Sequence, residues 1–177
     1  MSFKSGTIRA VNTPTSSAVF CTLNGDQEQG AAYADQAGNI QCRISDIELG
    51  EIFMKEIITT KNAPAAVGAY SQAVKSGNVL FCSGQIALDP ASGNLVGNDI
   101  KTQTEQVMQN ISAVLEASGA TFDDVVKTTC FLVNINDFAE FNAVYAKYFT
   151  GKPARSCVAA AALPKGALVE VEVAAVV

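Results

Sequence analysis

The chain has 177 residues, 49% of them apolar and 16% charged, with 17 acids set against 12 lysines and arginines. Such a composition can bury enough surface to offset chain entropy, which excludes wholesale disorder, and a net charge of −5 argues against a surface built to neutralise phosphates. No run reaches the ~18 to 20 consecutive apolar residues of a membrane helix, and the first twenty residues lack the apolar block of a secretory signal. The expectation is a soluble, cytoplasmic protein with no nucleic acid and no membrane as partner.

Histidine is absent, so the general base of a Ser-His-Asp or Cys-His arrangement and every imidazole metal site are missing. Proton transfer falls to carboxylates, Cys, Lys, Tyr or water. The five cysteines, Cys21, Cys42, Cys82, Cys130 and Cys157, are odd in number and widely spaced, with no Cys-x-x-Cys pair. They suggest neither a disulfide framework nor a thiolate zinc site.

Residues 1–53 are rich in Ser, Thr, Gly, Asn and Gln, with short strands expected at 18–23 and 39–44. A small β extension, a flexible leader and an organelle presequence are all open readings of this stretch; the last would move the protein to an organelle. From Met54 to Val177 the pattern is regular. Ile57-Ile58 and an Ala/Pro loop precede two β-like runs joined through Lys75-Ser76-Gly77-Asn78 as a hairpin. The second run, Val79 to Leu88, stops at the Pro/Gly-bearing turn 89–94. Val107, Ile111, Val114 and Leu115 recur at helical spacing, Thr102 and Glu105 suit a capping box, and Gly119 suits the helix end. Val125 to Ile135 is apolar on both faces, as expected of a central strand. Asn136 or Asp137 can cap a second helix whose stripe of Phe138, Phe141, Tyr145 and Tyr148 reads as core. Final strands are expected at 155–162 and 167–177, joined by Leu163-Pro164-Lys165-Gly166. The order gives an α/β (α+β) class: a mixed sheet with two helices on one face. Its uncovered face makes a symmetric oligomer the economical expectation.

Arg155 is the single arginine among eight lysines after Met54. It can be an ordinary surface residue, or a planar fork that binds a carboxylate through two parallel hydrogen bonds. Cys157, two residues on, should share its strand face, as a buried thiol or a pocket wall. Glu170 and Glu172 share the polar face of a period-two strand; in a partly desolvated cleft such a carboxylate would gain a raised pKa and could act as a base. Ser83-Gly84-Gln85 offers a hydroxyl and a close-approach backbone.

Five segments taken together, Gly68-Ala69-Tyr70-Ser71-Gln72-Ala73-Val74, Ser83-Gly84-Gln85-Ile86, Val126-Lys127-Thr128-Thr129, Pro153-Ala154-Arg155-Ser156-Cys157-Val158 and Leu163-Pro164-Lys165-Gly166-Ala167, resemble the RidA family, also called YjgF/UK114, of enamine and imine deaminases. The resemblance spans Met54 to Val177 and not residues 1–53. It implies a chorismate-mutase-like fold assembled as a homotrimer with sites between subunits, and no metal or organic cofactor. By the same resemblance Arg155 would bind the carboxylate of a 2-imino acid such as 2-iminopropanoate or 2-iminobutanoate, and Glu170 would activate water. Cys157, Tyr70, Ser83, Gly84 and Asn142 match pocket positions. Gly68-Ala69-Tyr70 and the Ala159 to Ala162 run depart from the family pattern, and the segment Phe149 to Pro153 is shorter than usual.

Overall fold

A computed structural model describes residues 55–177 and four short strands before them. The chain divides into two compact units, Met1–Gly50 and Glu51–Val177. In the first, β1 (Phe20–Leu23) pairs antiparallel with β2 (Asp26–Gln29), and β3 (Ala31–Ala34) with β4 (Ile40–Arg43). Strands β1 and β4 fall where the sequence placed them. The intervening β2 and β3 were unexpected, because a polar segment such as Asp26-Gln27-Glu28-Gln29 lacks the apolar alternation that marks a strand.

The second unit is a six-stranded mixed sheet with two helices. Its strands are β5 (Lys55–Ile58), β6 (Ala73–Ser76), β7 (Val79–Ile86), β8 (Val125–Leu132), β9 (Ala154–Ala159) and β10 (Val169–Val176), in the spatial order β5-β6-β7-β10-β8-β9. Every neighbouring pair is antiparallel except β8 and β9. The β6–β7 hairpin turns at Gly77-Asn78, with Gly77 at φ +59°, a left-handed value that glycine adopts without steric cost. The central positions belong to β7 and β10. The strand expected to be central, β8, lies second from the edge, and its Val126 is 49% exposed. Its two apolar faces are therefore unequal: Thr128, Cys130 and Leu132 are buried, and Val126 looks out.

Helix α1 (Ile100–Ala117) and helix α2 (Phe138–Tyr148) cover one face of the sheet. Val107, Ile111, Val114 and Leu115 are all within 1% of complete burial, and Gly119 ends α1 at φ +76° while the Ala120 amide returns to Leu115 O at 2.9 Å. The N-terminus differs from the capping box expected at Thr102 and Glu105. Asp99 is the cap, its Oδ1 accepting from the Thr102 amide at 2.9 Å and its Oδ2 from the Thr102 hydroxyl at 2.7 Å. Freed from that role, Glu105 accepts hydrogen bonds from Lys147 Nζ at 2.8 Å and the Tyr148 hydroxyl at 2.6 Å, which ties α1 to α2. The second helix starts at Phe138 after a turn of 3-10 helix over Ile135–Asp137, where Asn134, not Asn136 or Asp137, supplies the side-chain cap.

Phe141 is fully buried and Tyr145 nearly so, which makes the aromatic stripe of α2 part of the core. Truncating Phe141 to Ala would cost about 3–5 kcal/mol through lost contacts and the cavity left behind. Among the described residues the buried polar side chains are satisfied, and two of them tie segments together. Asn110 Nδ2 donates to Ile86 O and Leu88 O, holding α1 against the end of β7, and Gln103 bridges Gly97 O and the Leu168 amide.

Candidate active site

The side chains singled out from the sequence fall into two groups. The first is built on the edge strand β9 and helix α2. Arg155 pairs in register with Thr128 and Cys157 with Cys130, so both side chains stand on the helix-covered face, as their spacing predicts. The Arg155 guanidinium lies over two rings of α2, 4.6 Å from the Tyr145 centroid and 5.3 Å from that of Phe138. Its Nη1 donates to Asn142 Oδ1 at 2.9 Å. Tyr145 is fixed in turn by a 2.9 Å hydrogen bond between its hydroxyl and that of Thr128. Among the described residues Arg155 forms no ion pair. A partly buried guanidinium, stacked from two rings and oriented by an amide oxygen, keeps donors for an incoming carboxylate.

A cleft of about 370 Å³ opens beside it, lined by Asn142, Tyr145, Ala146, Phe149, Lys152, Pro153 and Arg155. Cys157 is half-buried, and burial raises its thiol pKa while the positive charge of Arg155 opposes that rise. Cys82 and Cys130 are buried in the core, with their thiols pushed up to about 12. None of the three described cysteines has the lowered pKa of a nucleophile.

The second group gathers around a bulge in β7. Val171 pairs with Gln85 and Val173 with Cys82, so Ser83 and Gly84 together oppose the single residue Glu172. The extra residue switches which side chains of β7 face the helices: Leu80 and Cys82 are buried before the bulge and Gln85 after it. Gly84 then comes beneath the carboxylate of Glu170. A Cβ at position 84 would collide with Glu170 Oε1 and push the end of that side chain aside, so glycine is what permits the carboxylate to rest here. Glu170 is half-buried, and its pKa is raised by desolvation first and by the neighbouring Glu172 carboxylate second.

Ser83 is stitched to the loop that carries Tyr70. Its hydroxyl donates to Ser71 O at 2.6 Å and its amide to Gln72 O at 2.9 Å. The buried Gln72 fixes the rest of this loop, donating from Nε2 to Thr60 O, Ala63 O and Pro64 O and accepting from the Thr60 amide. Tyr70 is 53% exposed and lines a second cleft of about 490 Å³ with Thr60, Lys61, Ser71 and Pro90.

Arg155 and Glu170 are not brought together within one chain. In register, Glu170 lies beside Phe131, and Phe131 beside Val158; Val158 is on the face of β9 opposite Arg155. The buried alternation of Val169, Val171, Val173 and Ala175 confirms that Glu170 is on the open side of the sheet. Sequence reasoning missed Phe138 and Tyr145 as partners of Arg155, having assigned the stripe to the core alone, and it missed Gln72 and Lys152. The stripe carried a usable signal: Phe138, Asn142 and Tyr145 are spaced to share one face of a helix. Among the described residues no group of three or more Cys, Asp or Glu is placed to hold a metal ion.

The sequence profile of the endoribonuclease L-PSP family matches residues 60–177. The chain belongs to this family, the RidA/YjgF group whose motifs the sequence carries. A 2-iminobutanoate/2-iminopropanoate deaminase from Rattus norvegicus is 46% identical over 124 residues, which cover 70% of this chain and 90% of the rat protein. A protein of Lactococcus lactis named as a putative regulator, AldR, is 54% identical over 121 residues, 68% of this chain and 96% of that protein. The crystal structure of YyfA, a Rid-family protein from Yersinia pestis, superposes with a TM-score of 0.69 at 55% identity, covering 70% of this chain and all of that one. The mixed six-stranded sheet with two helices is therefore the Rid fold, and relatives of this chain carry the names of deaminases of reactive imines as well as of regulators.

Proposed function

We propose that this protein hydrolyses small 2-imino and enamine acids, such as 2-iminopropanoate and 2-iminobutanoate, to 2-keto acids and ammonia. The observation that carries the reading is Arg155: a guanidinium stacked on Tyr145 and Phe138, oriented by Asn142 and without an acidic partner among the described residues, beside an open cleft. Such a group is prepared for a carboxylate, and the name of the rat relative supplies the imine attached to it.

Glu170 is assigned the handling of water. With its pKa raised by burial, it is a better base than an ordinary surface glutamate and can take a proton as water adds to the imine carbon. The carbinolamine then collapses, the C–N bond breaks, and ammonia leaves with the returned proton. The imine is electrophilic already, so orientation, neutralisation of the carboxylate and one proton shuttle can suffice.

Because one chain holds Arg155 and Glu170 on opposite faces of its sheet, the reading requires a second copy of the chain to complete each site. A homotrimer is the proposed assembly: Arg155, Asn142 and Cys157 come from one subunit, and Tyr70, Ser83, Gly84 and Glu170 from its neighbour. Symmetry would repeat the same contact around a closed ring. The test generates 2-iminopropanoate in a coupled reaction and follows its loss with the purified protein and with Arg155→Ala. Mixing Arg155→Ala with Glu170→Ala subunits should restore one site in every trimer that holds both, about a quarter of all sites in a random equimolar mixture, whereas a site within one chain would give no recovery. No acceleration by the unaltered protein would remove the enzymatic reading, and tight binding of 2-oxobutanoate without turnover would leave a sensor.

A further inference from the structure

The connection between α2 and β9 puts a second cationic residue, Lys152, in the lining of the cleft that Arg155 borders. The Lys152 amide donates to Phe149 O at 3.2 Å, and Lys152 has a left-handed φ of +53°. A long side chain is uncommon in that region, and Pro153 restricts the residue before it further. The turn thus holds Lys152 in a conformation that an Asn or Gly would adopt more readily. Lys152 nonetheless lines the same cleft as Arg155, and no residue lining that cleft is acidic. Lys101 and Lys147 pair with Glu140 and Glu105, and Lys127 and Lys165 donate to Ser156 and Gly93. Among the described residues Lys152 makes no such contact, which it shares with Lys55, Lys61 and Lys75, and of these four it is the one that lines the Arg155 cleft.

The lining of the cleft thus holds two cationic residues, the half-buried Arg155 and the exposed Lys152, in a chain whose net charge is −5. Low-dielectric walls lined by one sign of charge focus the field on an oppositely charged ligand. One carboxylate occupies the planar fork of Arg155 and leaves the point charge of Lys152 unmatched. We propose that Lys152 is a specificity-determining residue that favours imino acids with a second, side-chain carboxylate, the four- and five-carbon imino dicarboxylates. This rests on the reading of Arg155 as the clamp for the carboxylate next to the imine. Lys152 positions the far end of the substrate and takes no part in bond making. The water oxygen still adds to the imine carbon, the C–N bond still breaks, and the products are ammonia and an oxo dicarboxylate.

Calorimetric titration of the full chain with pyruvate and with 2-oxoglutarate tests this without relying on turnover, using the unaltered protein, Lys152→Asn and Lys152→Arg. Asn tolerates the left-handed turn, so its loss of charge is not confounded with a refolded loop. The unaltered protein should bind 2-oxoglutarate more tightly than pyruvate. Lys152→Asn should lose about fivefold in affinity for the dianion, the scale of one exposed ion pair, and keep its affinity for pyruvate. Lys152→Arg should retain the preference, and added salt should erode it. Equal weakening toward both acids, or no preference in the unaltered protein, overturns the proposal. If Arg155→Ala binds pyruvate as well as before, the clamp reading fails, a result separate from the Lys152 comparison. A preference that follows Lys152 in a protein without imine turnover would overturn the deaminase activity and keep this assignment.

Discussion

The two groups of site residues are built on opposite electrostatic terms. Around Arg155 the protein supports a charge: two aromatic faces and an amide oxygen hold the guanidinium at the edge of the sheet. Around Glu170 it opposes one: burial over Gly84 and the nearby Glu172 make the carboxylate harder to ionise. A group meant to bind an anion gains from being charged in advance, and a group meant to accept a proton gains from having its charge held back. Under the proposed assignment, the same sheet would prepare a binder and a base by giving each different surroundings.

The comparison breaks most visibly at Arg155. Arg155→Lys keeps the positive charge but loses the fork and the flat surface that stacks on Tyr145, and kcat/KM for a 2-imino acid should fall by about 10²-fold, the cost of a misplaced substrate. Steady-state kinetics check this; unchanged kcat/KM would mean that charge alone suffices. Stability should hardly move, since Tyr145 stays held by its contacts with Phe141 and Phe149 and by its hydrogen bond with Thr128.

Gly84→Ala is the matching break in the other group. The added methyl meets the Glu170 carboxylate at the end of a flexible, half-buried side chain that can swing aside, so at most about 1 kcal/mol of stability should be lost together with activity. Combining it with Glu170→Ala should return much of that stability, because the clashing atoms are gone. Denaturant unfolding of the two single variants and the double variant measures the coupling, and strict additivity would show that the close approach costs nothing.

The raised pKa of Glu170 sharpens the comparison through pH. The folded state holds the Glu170 proton above the pH at which the unfolded chain releases it. Between the ordinary carboxylate value and the raised folded value the native state binds more protons, so stability falls as pH rises through that window. Glu170→Gln should remove this decline and leave the protein more stable at neutral pH, with little turnover remaining. Thermal melts between pH 4 and 8 should show the two curves separating as pH rises, and parallel curves would contradict it.

The smallest effect is expected where neither group is touched. Asp99→Ala removes the cap of α1 and should cost about 1 kcal/mol, with kcat and KM unchanged. A change in KM would mean that α1 communicates with the cleft.

Much of the fold was legible because its signals are local. The helical recurrence of Val107, Ile111, Val114 and Leu115, the glycine at 119 and the Gly77-Asn78 turn each depend on a few neighbouring residues. The errors arose where a local signal had a non-local competitor. Thr102 and Glu105 have the spacing of a capping box, yet Asp99 reaches the helix end and Glu105 finds Lys147 and Tyr148 some forty residues away. Val125 to Leu132 is apolar enough for the centre of a sheet but sits next to the edge, because β10 returns between it and β7.

For the site, the sequence by itself determined the chemical inventory: one arginine after Met54, no histidine, and Arg155 with Cys157 and Glu170 with Glu172 at a spacing of two. That spacing fixed which members of each pair share a face, since strand side chains alternate by covalent geometry. Only the tertiary structure decided that the pairs face opposite ways. Register across β10, β8 and β9 set those orientations through hydrogen bonds between segments distant in sequence.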